Sequence, residues 1–339
     1  MKDYTYLIIG GGIAAARAVE GIREEDRKGS ILLVSSEREL PYERPPLSKS
    51  ILTGEATGKE LTYRSRFFYL RHRARIKRGC DVVSLDLGGG RRRATLSTGE
   101  EISFERGILV TGCRPRSLLL PGSDLPGCFL LRNLTEGRAM RDWLTRAREG
   151  ARRRAVIVGG GFIGVEAAAS MARLGWEGSI VERLGGVWPS VAPPEVATFL
   201  EQYLAQRGVS FRFESEVSTL EGGEQVEGVR LANGELISAD LVLVSVGAEP
   251  LVGLARGAGL EVEDGVVVDE ELHTSASNLW AAGDVASLPD PYADRRRRLE
   301  HYGGAEAGGY VAGRNAAGGS TPFSLLPYVW SEIGELRVD

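Results

Sequence analysis

Hydrophobic residues in this chain come in short unbroken runs, each closed by glycine and followed by a stretch of helical period. Tyr4–Ile9 is apolar at nearly every position. That pattern predicts a strand buried on both faces rather than one that alternates between core and water. Gly10-Gly11-Gly12 ends the run, Ile13–Arg23 has apolar residues at helical spacing, and Ile31–Ser35 is a second buried run. Strand, glycine turn, helix and strand make a βαβ unit. The same order returns at Ala155–Val158, Gly159-Gly160-Gly161, Phe162–Leu174 and Ser179–Glu182. The copies are too far apart for a solenoid repeat, so the pattern reads as a duplicated domain.

Further strands are expected after each copy. After the first they are Val82–Leu85, Ala94–Ser97, Ile102–Phe104 and Gly107–Thr111; after the second, Ser210–Phe213, Val226–Leu231 and Leu241–Val246. Asn278–Ala282 is a short strand ending in Gly283-Asp284, Glu306–Ala317 reads as a helix, and the tail carries Pro327-Tyr328-Val329-Trp330. The Gly283-Asp284 strand completes the first pattern, so the second copy reads as inserted into the first. The expected fold class is α/β, with two Rossmann-like dinucleotide-binding domains. The expected boundaries are 1–112 with 243–320 for one domain, 113–242 for the other, and 321–339 for the start of a third.

Composition narrows the function classes. At 339 residues the chain can bury more than one core, and a net charge of −4 gives no general pull toward nucleic acid or anionic membrane. Cys80, Cys113 and Cys128 are the only cysteines, with no C-x-x-C spacing. That excludes a sequence-adjacent redox dithiol or zinc knuckle and fits a reducing cytoplasm. The apolar start is interrupted by glycines and lacks the flanks of a signal peptide. No run reaches the ~20 apolar residues of a membrane span.

The glycine turns carry the chemistry. In a G-x-G-x-x-G turn the first glycine makes the bend, the second lets the backbone approach a pyrophosphate, and the third lets helix and strand pack closely. The phosphate charge then meets the helix N-terminus. The second copy has Gly159, Gly161 and Gly164; the first has Gly10, Gly12 and Ala15. An acid ~20 residues on holds the adenosine ribose. Glu182 fills that place in the second copy, while Ser36 and Glu37 compete for it in the first. A carboxylate at Glu182 accepts from a ribose 2′-hydroxyl and repels a 2′-phosphate, which favours NADH; Arg183 beside it keeps NADPH as the lesser alternative.

One Pro-rich run is more specific. Leu40-Pro41-Tyr42-Glu43-Arg44-Pro45-Pro46-Leu47-Ser48-Lys49 resembles the flavin-contacting segment of the oxygenase-coupled ferredoxin reductases, the group that includes putidaredoxin reductase and is related to apoptosis-inducing factor. Similar segments follow in order: Thr111-Gly112-Cys113-Arg114-Pro115, Leu131-Arg132, Val158–Glu166, Val246-Gly247-Ala248-Glu249-Pro250. Ala281-Ala282-Gly283-Asp284-Val285, Leu299-Glu300-His301 and Trp330-Ser331-Glu332 complete the series. The resemblance spans nearly the whole chain. It implies a glutathione-reductase-like fold with FAD in the first site and NADH in the second.

Carried over residue by residue, it implies that FAD meets Gly10, Gly12, Ala14, Ala15, Ser36 and Glu37 at the first turn. It adds Arg44, Pro45, Lys49, Val82, Thr111, Gly112, Arg132, Asp284, Val285 and Tyr302 from later segments, with the Trp330 ring covering the flavin or the nicotinamide. The NADH site takes Gly159, Gly161, Phe162, Ile163, Gly164, Glu166, Glu182 and Gly247. Lys49 and Glu166 are the expected catalytic pair, a charge-assisted bond that orients the reacting rings. His72, His273 and His301 are expected to be structural, with no metal site, and His301 is the exception to watch because the resemblance places its segment near the flavin.

Beside Lys49 the stretch Leu47-Ser48 has no thiol. That argues against a disulfide or peroxide reductase and for electrons leaving singly, toward a [2Fe-2S] ferredoxin or a Rieske-type partner. The basic runs Arg295–Arg298 and Arg71, Arg73, Arg75, Lys77, Arg78 are candidate docking faces, or simply solvated surface. Two other functions stay open: a slow apoptosis-inducing-factor-like flavoprotein whose conformation or assembly responds to NADH, and a reductase of a small acceptor such as a quinone or monodehydroascorbate. The resemblance is compatible with a homodimer. It also implies that most of a C-terminal interface domain, entered at the Trp-Ser-Glu segment, is missing from this chain.

Overall fold

The structure, a computed structural model, describes residues 2–88, 91–146, 153–189, 191–290 and 294–339. The chain divides into two units. One comprises Met1–Glu43, Thr62–Arg114 and Pro250–Val329, the other Arg44–Leu61, Pro115–Glu249 and Trp330–Asp339.

The first unit is built on a parallel sheet in the order Ala74–Arg78, Ile31–Ser35, Lys2–Ile9, Glu101–Leu109. The far edge of Glu101–Leu109 serves two partners. Its first half pairs antiparallel with Arg92–Leu96, and its second half runs parallel to Leu279–Ala281. The two separate strands expected at 102–104 and 107–111 are therefore one. Leu7, Ile8, Leu33 and Ile108 have no exposed surface, as unbroken apolar runs require. Ala74–Arg78 lies at the open edge of this sheet, and alternating basic residues are an ordinary way to protect such an edge.

The helix Ile13–Glu25 packs on the helix Tyr302–Ala316 at backbone distance. A Cβ on Gly309 would lie 2.2 Å from the Ala14 carbonyl oxygen, and one on Gly21 would lie 2.1 Å from that of Tyr310. The second helix begins at Tyr302, four residues before the expected start. His301 sets that start: its Nδ1 accepts from the Gly304 N–H at 2.9 Å, a cap that the glycines after it conceal in the sequence.

The second unit has five parallel strands in the order Val209–Arg212, Glu177–Val181, Arg154–Val158, Leu241–Val244, Cys128–Phe129. The helix Phe162–Arg173 follows the central strand. An antiparallel sheet of Val217–Gly222, Val226–Leu231 and Leu236–Ser238 is separate from it. The last element is a hairpin, Ser331–Ile333 with Leu336–Val338, which packs on the helix Phe162–Arg173. Among the described residues no helix is long and apolar enough to cross a membrane.

Candidate functional site

Each unit carries one glycine turn at a strand–helix junction. Gly10 has φ +133° and Gly159 has φ +108°, where an L side chain is strained. A Cβ would also lie 2.0 Å from the Val110 carbonyl oxygen in the first case and 2.4 Å from that of Ser245 in the second. Gly164 packs on its own turn, since a Cβ there would lie 2.1 Å from the Gly159 carbonyl oxygen. Ala15 fills the matching place in the first turn and is fully buried.

The middle of each turn is open. A Cβ on Gly12 or on Gly161 would meet nothing within 4 Å. These two residues are also the N-caps of the helices Ile13–Glu25 and Phe162–Arg173, without a side-chain cap and without an acid in the first turn. Unsatisfied N–H groups facing open space fit a diphosphate. The residues present therefore fit a dinucleotide at each turn.

Around the first turn, a Cβ on Gly283 would lie 3.4 Å from the Ala14 methyl, so Asp284 and Val285 stand against the start of the first helix. The Cys113 thiol donates to Asp284 Oδ2 at 3.2 Å. Glu37 accepts from the Tyr42 hydroxyl at 2.7 Å, while Ser36 is exposed. Thr111 donates to the Leu251 carbonyl at 3.0 Å, beside Gly112 at φ +71°. Tyr302 donates to Glu43 at 3.2 Å, and burial, then the nearby Glu43, pushes its phenol well above the usual range. Val82 packs half-buried on the core.

The second turn is more fully built. Glu182 Oε2 accepts from the Gly160 N–H at 2.8 Å and Oε1 from the Leu184 N–H at 2.9 Å. Two backbone donors hold the carboxylate, and each oxygen keeps a lone pair for a ribose hydroxyl. Arg183 next to it is exposed. Phe162 packs on Trp188 with ring centroids 4.6 Å apart. Trp188 has φ +50°, and its N–H donates to the Gly160 carbonyl at 2.9 Å. That left-handed tryptophan braces the turn, and no sequence pattern marks it. Ile163 lies exposed on the first helical turn, and Gly247 has φ +98°.

The pair expected at the reaction centre forms within the second unit. Lys49 Nζ lies 2.9 Å from Glu166 Oε2, with the side chains 15% and 8% exposed. A nearly buried ion pair needs its remaining polar atoms satisfied. Lys49 also donates to the Pro45 carbonyl at 3.0 Å. Ser48 Oγ donates to Glu166 Oε2 at 2.5 Å and Ser331 Oγ to Oε1 at 2.6 Å. Ser170 Oγ, one turn further along the helix, donates to the Ser48 carbonyl at 2.7 Å. Ser48 and Ser331 lie in segments that the sequence singles out, but their hydroxyls, like that of Ser170, were not named as site residues, because a serine alone carries no signal of the carboxylate or carbonyl it will meet.

The Trp330 ring centroid stands 5.6 Å from Lys49 Nζ. Both line a cavity of about 200 Å³ with Ser170, Arg173 and Glu332. Arg44 donates to the Arg132 carbonyl at 2.6 Å, also in this unit.

The other candidates meet partners within their own unit. Arg295 and Arg297 face Asp290, and Arg298 pairs with Asp264 and Glu300. Much of that basic run is thus neutralised locally. His72 Nδ1 donates to the Phe68 carbonyl at 2.8 Å, and His273 faces Asp269. Among the described residues no cluster could hold a metal ion. None of the three cysteines forms a disulfide, and burial, with Asp124 nearby, pushes the Cys128 thiol up to about 11.

Comparison with known proteins agrees with this geometry. The family described as pyridine nucleotide-disulphide oxidoreductase matches residues 4–309. A rubredoxin-NAD(+) reductase of Pseudomonas putida is 33% identical over 96% of this chain and 83% of its own length. The ferredoxin reductase for the CYP199A2 system of Rhodopseudomonas palustris superposes with a TM-score of 0.93 at 30% identity, over 98% of this chain and 81% of that one. The covalent putidaredoxin reductase–putidaredoxin complex gives a TM-score of 0.92 at 28% identity, over 99% and 81%. With two open glycine turns and a family match over most of its length, this chain belongs to the pyridine nucleotide-disulphide oxidoreductase family.

Proposed function

We propose that this protein is an FAD-dependent NADH reductase that passes electrons singly to a small iron–sulfur protein of the ferredoxin or rubredoxin kind. The observation that carries the reading is the buried Lys49–Glu166 pair with hydroxyls, not thiols, around it. The family name includes disulphide substrates, but this chain has three cysteines outside any disulfide and no dithiol. Cys113 is engaged with Asp284, and Cys128 is held protonated by burial. Electrons therefore have no thiol to leave through. The relatives named above as rubredoxin and ferredoxin reductases support the same outlet.

FAD is assigned to the turn Gly10–Gly12, with Asp284 offering a carboxylate to a ribityl hydroxyl. NADH is assigned to the turn Gly159–Gly161, with Glu182 on the ribose. When bound, FAD supplies the conversion between a two-electron nicotinamide and a one-electron carrier. The chain's own residues orient the two: backbone amides hold the diphosphates, and the Lys49 ammonium, fixed by Glu166 and Pro45, presents a directed positive charge. The exposed Arg71, Arg73, Arg75 and Arg78 offer an acidic carrier its docking charge. Three cysteines without a disulfide support a cytoplasmic location.

An anaerobic NADH titration followed in the visible tests this reading. A yellow protein should bleach at one NADH per flavin and then reduce a ferredoxin or rubredoxin. A protein that binds no flavin, or one whose flavin NADH leaves oxidised, would overturn it.

A further inference from the structure

We propose that Ser331 is a positioning residue for the Lys49–Glu166 pair, its hydroxyl fixing the plane of the carboxylate that aims the ammonium. The proposal rests on the reductase reading and deepens it.

The terminal torsion of a glutamate is broad and roughly two-fold, so the carboxylate plane is set by its partners rather than by its rotamer. Both Lys49 Nζ and Ser48 Oγ reach the same oxygen, Oε2. Two contacts on one oxygen leave the plane free to swing about it. Ser331 Oγ reaches the other oxygen, Oε1, at 2.6 Å and closes that freedom.

Ser331 is able to hold a direction. It has no exposed surface and sits in the strand Ser331–Ile333, paired opposite Val338, with Ile333 buried behind it. Ser48 is fixed at the opposite side, because its carbonyl accepts from Ser170 on the helix that carries Glu166. The carboxylate is therefore gripped from two separate segments of chain.

The consequence falls on Lys49. An ammonium has three protons. Among the described residues Lys49 Nζ donates to the Pro45 carbonyl and stands 2.9 Å from Glu166 Oε2 as an ion pair. Those two contacts set where the ammonium points, and with it the donors Lys49 has left for a bound ring. Removing the Ser331 hydroxyl leaves Oε1 buried without its donor, at a cost that a small rotation of the carboxylate can relieve. The adjacent cavity of about 200 Å³, lined by Lys49 and Trp330, gives water room to replace the lost contact. Either response turns Lys49.

The test compares S331A with wild type, E166Q and E166Q/S331A. Hydride transfer from NADH is followed by anaerobic stopped flow across pH. Acylation of Lys49 by an amine reagent, mapped by mass spectrometry in the protein as purified, gives a readout independent of turnover. S331A should transfer hydride ~5- to 20-fold more slowly. The pH profile of its rate should depart from that of wild type. The other charged groups around the pair, Arg173 with Glu55, and Glu332, are untouched by the change. Lys49 should acylate several-fold faster in S331A, and S331A should add nothing in the E166Q background. S331C, nearly isosteric and a weaker donor, should show the same signs at smaller amplitude, and it carries the test where the alanine variant folds poorly. Wild-type rates, profile and labelling in these variants, or a loss that adds to that of E166Q, would overturn the proposal. A wild-type flavin that NADH does not reduce would instead defeat the reductase reading, while the labelling arm would still decide whether Ser331 acts through Glu166.

Discussion

Replacing Gly309 with alanine tests whether the first nucleotide helix is held by direct backbone contact. A Cβ at this position would lie 2.2 Å from the Ala14 carbonyl oxygen and 2.6 Å from its Cα. Contacts between such atoms settle near ~3.5 Å, so the helices Ile13–Glu25 and Tyr302–Ala316 must part by about 1 Å. No rotamer can absorb the clash, because the opposing atoms are main chain. Overpacking of this kind costs ~1–3 kcal/mol, and the better helix propensity of alanine offsets ~1 kcal/mol of it. The net loss should be ~0–2 kcal/mol, or ~2–4 °C of melting temperature for each kcal/mol. The displacement also acts two residues from Gly12, so flavin should be released earlier in the melt. Gly303 in the same helix is the control. A Cβ there would come no closer than 3.7 Å to His301 Nδ1, so G303A should gain ~0.5–1 kcal/mol. Circular dichroism and flavin fluorescence, scanned at one fixed rate because release is irreversible, read both variants. If G309A melts at or above G303A, the backbone contact does not limit stability and the reasoning fails.

The remaining predictions concern single contacts. E182Q removes the charge held by the Gly160 and Leu184 amides, and kcat/KM for NADH should fall ~10- to 100-fold while NADPH improves; an unchanged ratio of the two would remove Glu182 from the ribose. C113A should weaken FAD binding ~5-fold by freeing Asp284 from its thiol donor, and C113S should stay near wild type, both measured by flavin fluorescence. Burial holds His301 below the usual histidine range; Asp284 opposes that effect and Arg297 adds to it. The unfolded state therefore takes up the proton first, so this group's contribution is complete above ~6.5 and declines as pH falls below it. Protonation also ends the acceptance from Gly304, so melting temperature plotted against pH should fall less steeply below ~6.5 in H301N, which keeps an acceptor cap; parallel curves would deny His301 the role.

What the sequence revealed and what it hid follow from the range of the interactions. Glycine turns are local: Gly10 and Gly159 need positive φ, and only a handful of neighbouring residues decide that. The central strands were legible for the same reason, since burial on both faces leaves an unbroken apolar run. The edges of elements were less so. Glu101–Leu109 looked like two strands because Glu105-Arg106 interrupts the apolar pattern where the strand changes partners. The start of Tyr302–Ala316 was hidden by two glycines, although His301 caps it. Least legible were donors brought from far along the chain. Ser331 and Glu166 are separated by 165 positions, and nothing local tells a serine that its hydroxyl will face a buried carboxylate.

The two turns share a backbone but differ in the side chain laid against Gly11 and Gly160, a difference that fits the ligands proposed for them. At the second turn Gly160 donates to a carboxylate fixed by a second amide, so the turn itself orients an acceptor for a free 2′-hydroxyl. At the first turn Gly11 faces Ser35: a Cβ there would lie 1.9 Å from the Ser35 hydroxyl, and the acid, Glu37, accepts from the Tyr42 hydroxyl. The first turn thus offers close packing and the second a fixed carboxylate, the contrast expected if, as proposed above, the first holds a permanent flavin and the second an exchanging NADH. It follows that moving a carboxylate to the first turn, as in S35E, should disturb flavin retention without creating a second nicotinamide preference, because the space Gly11 gives up is already taken.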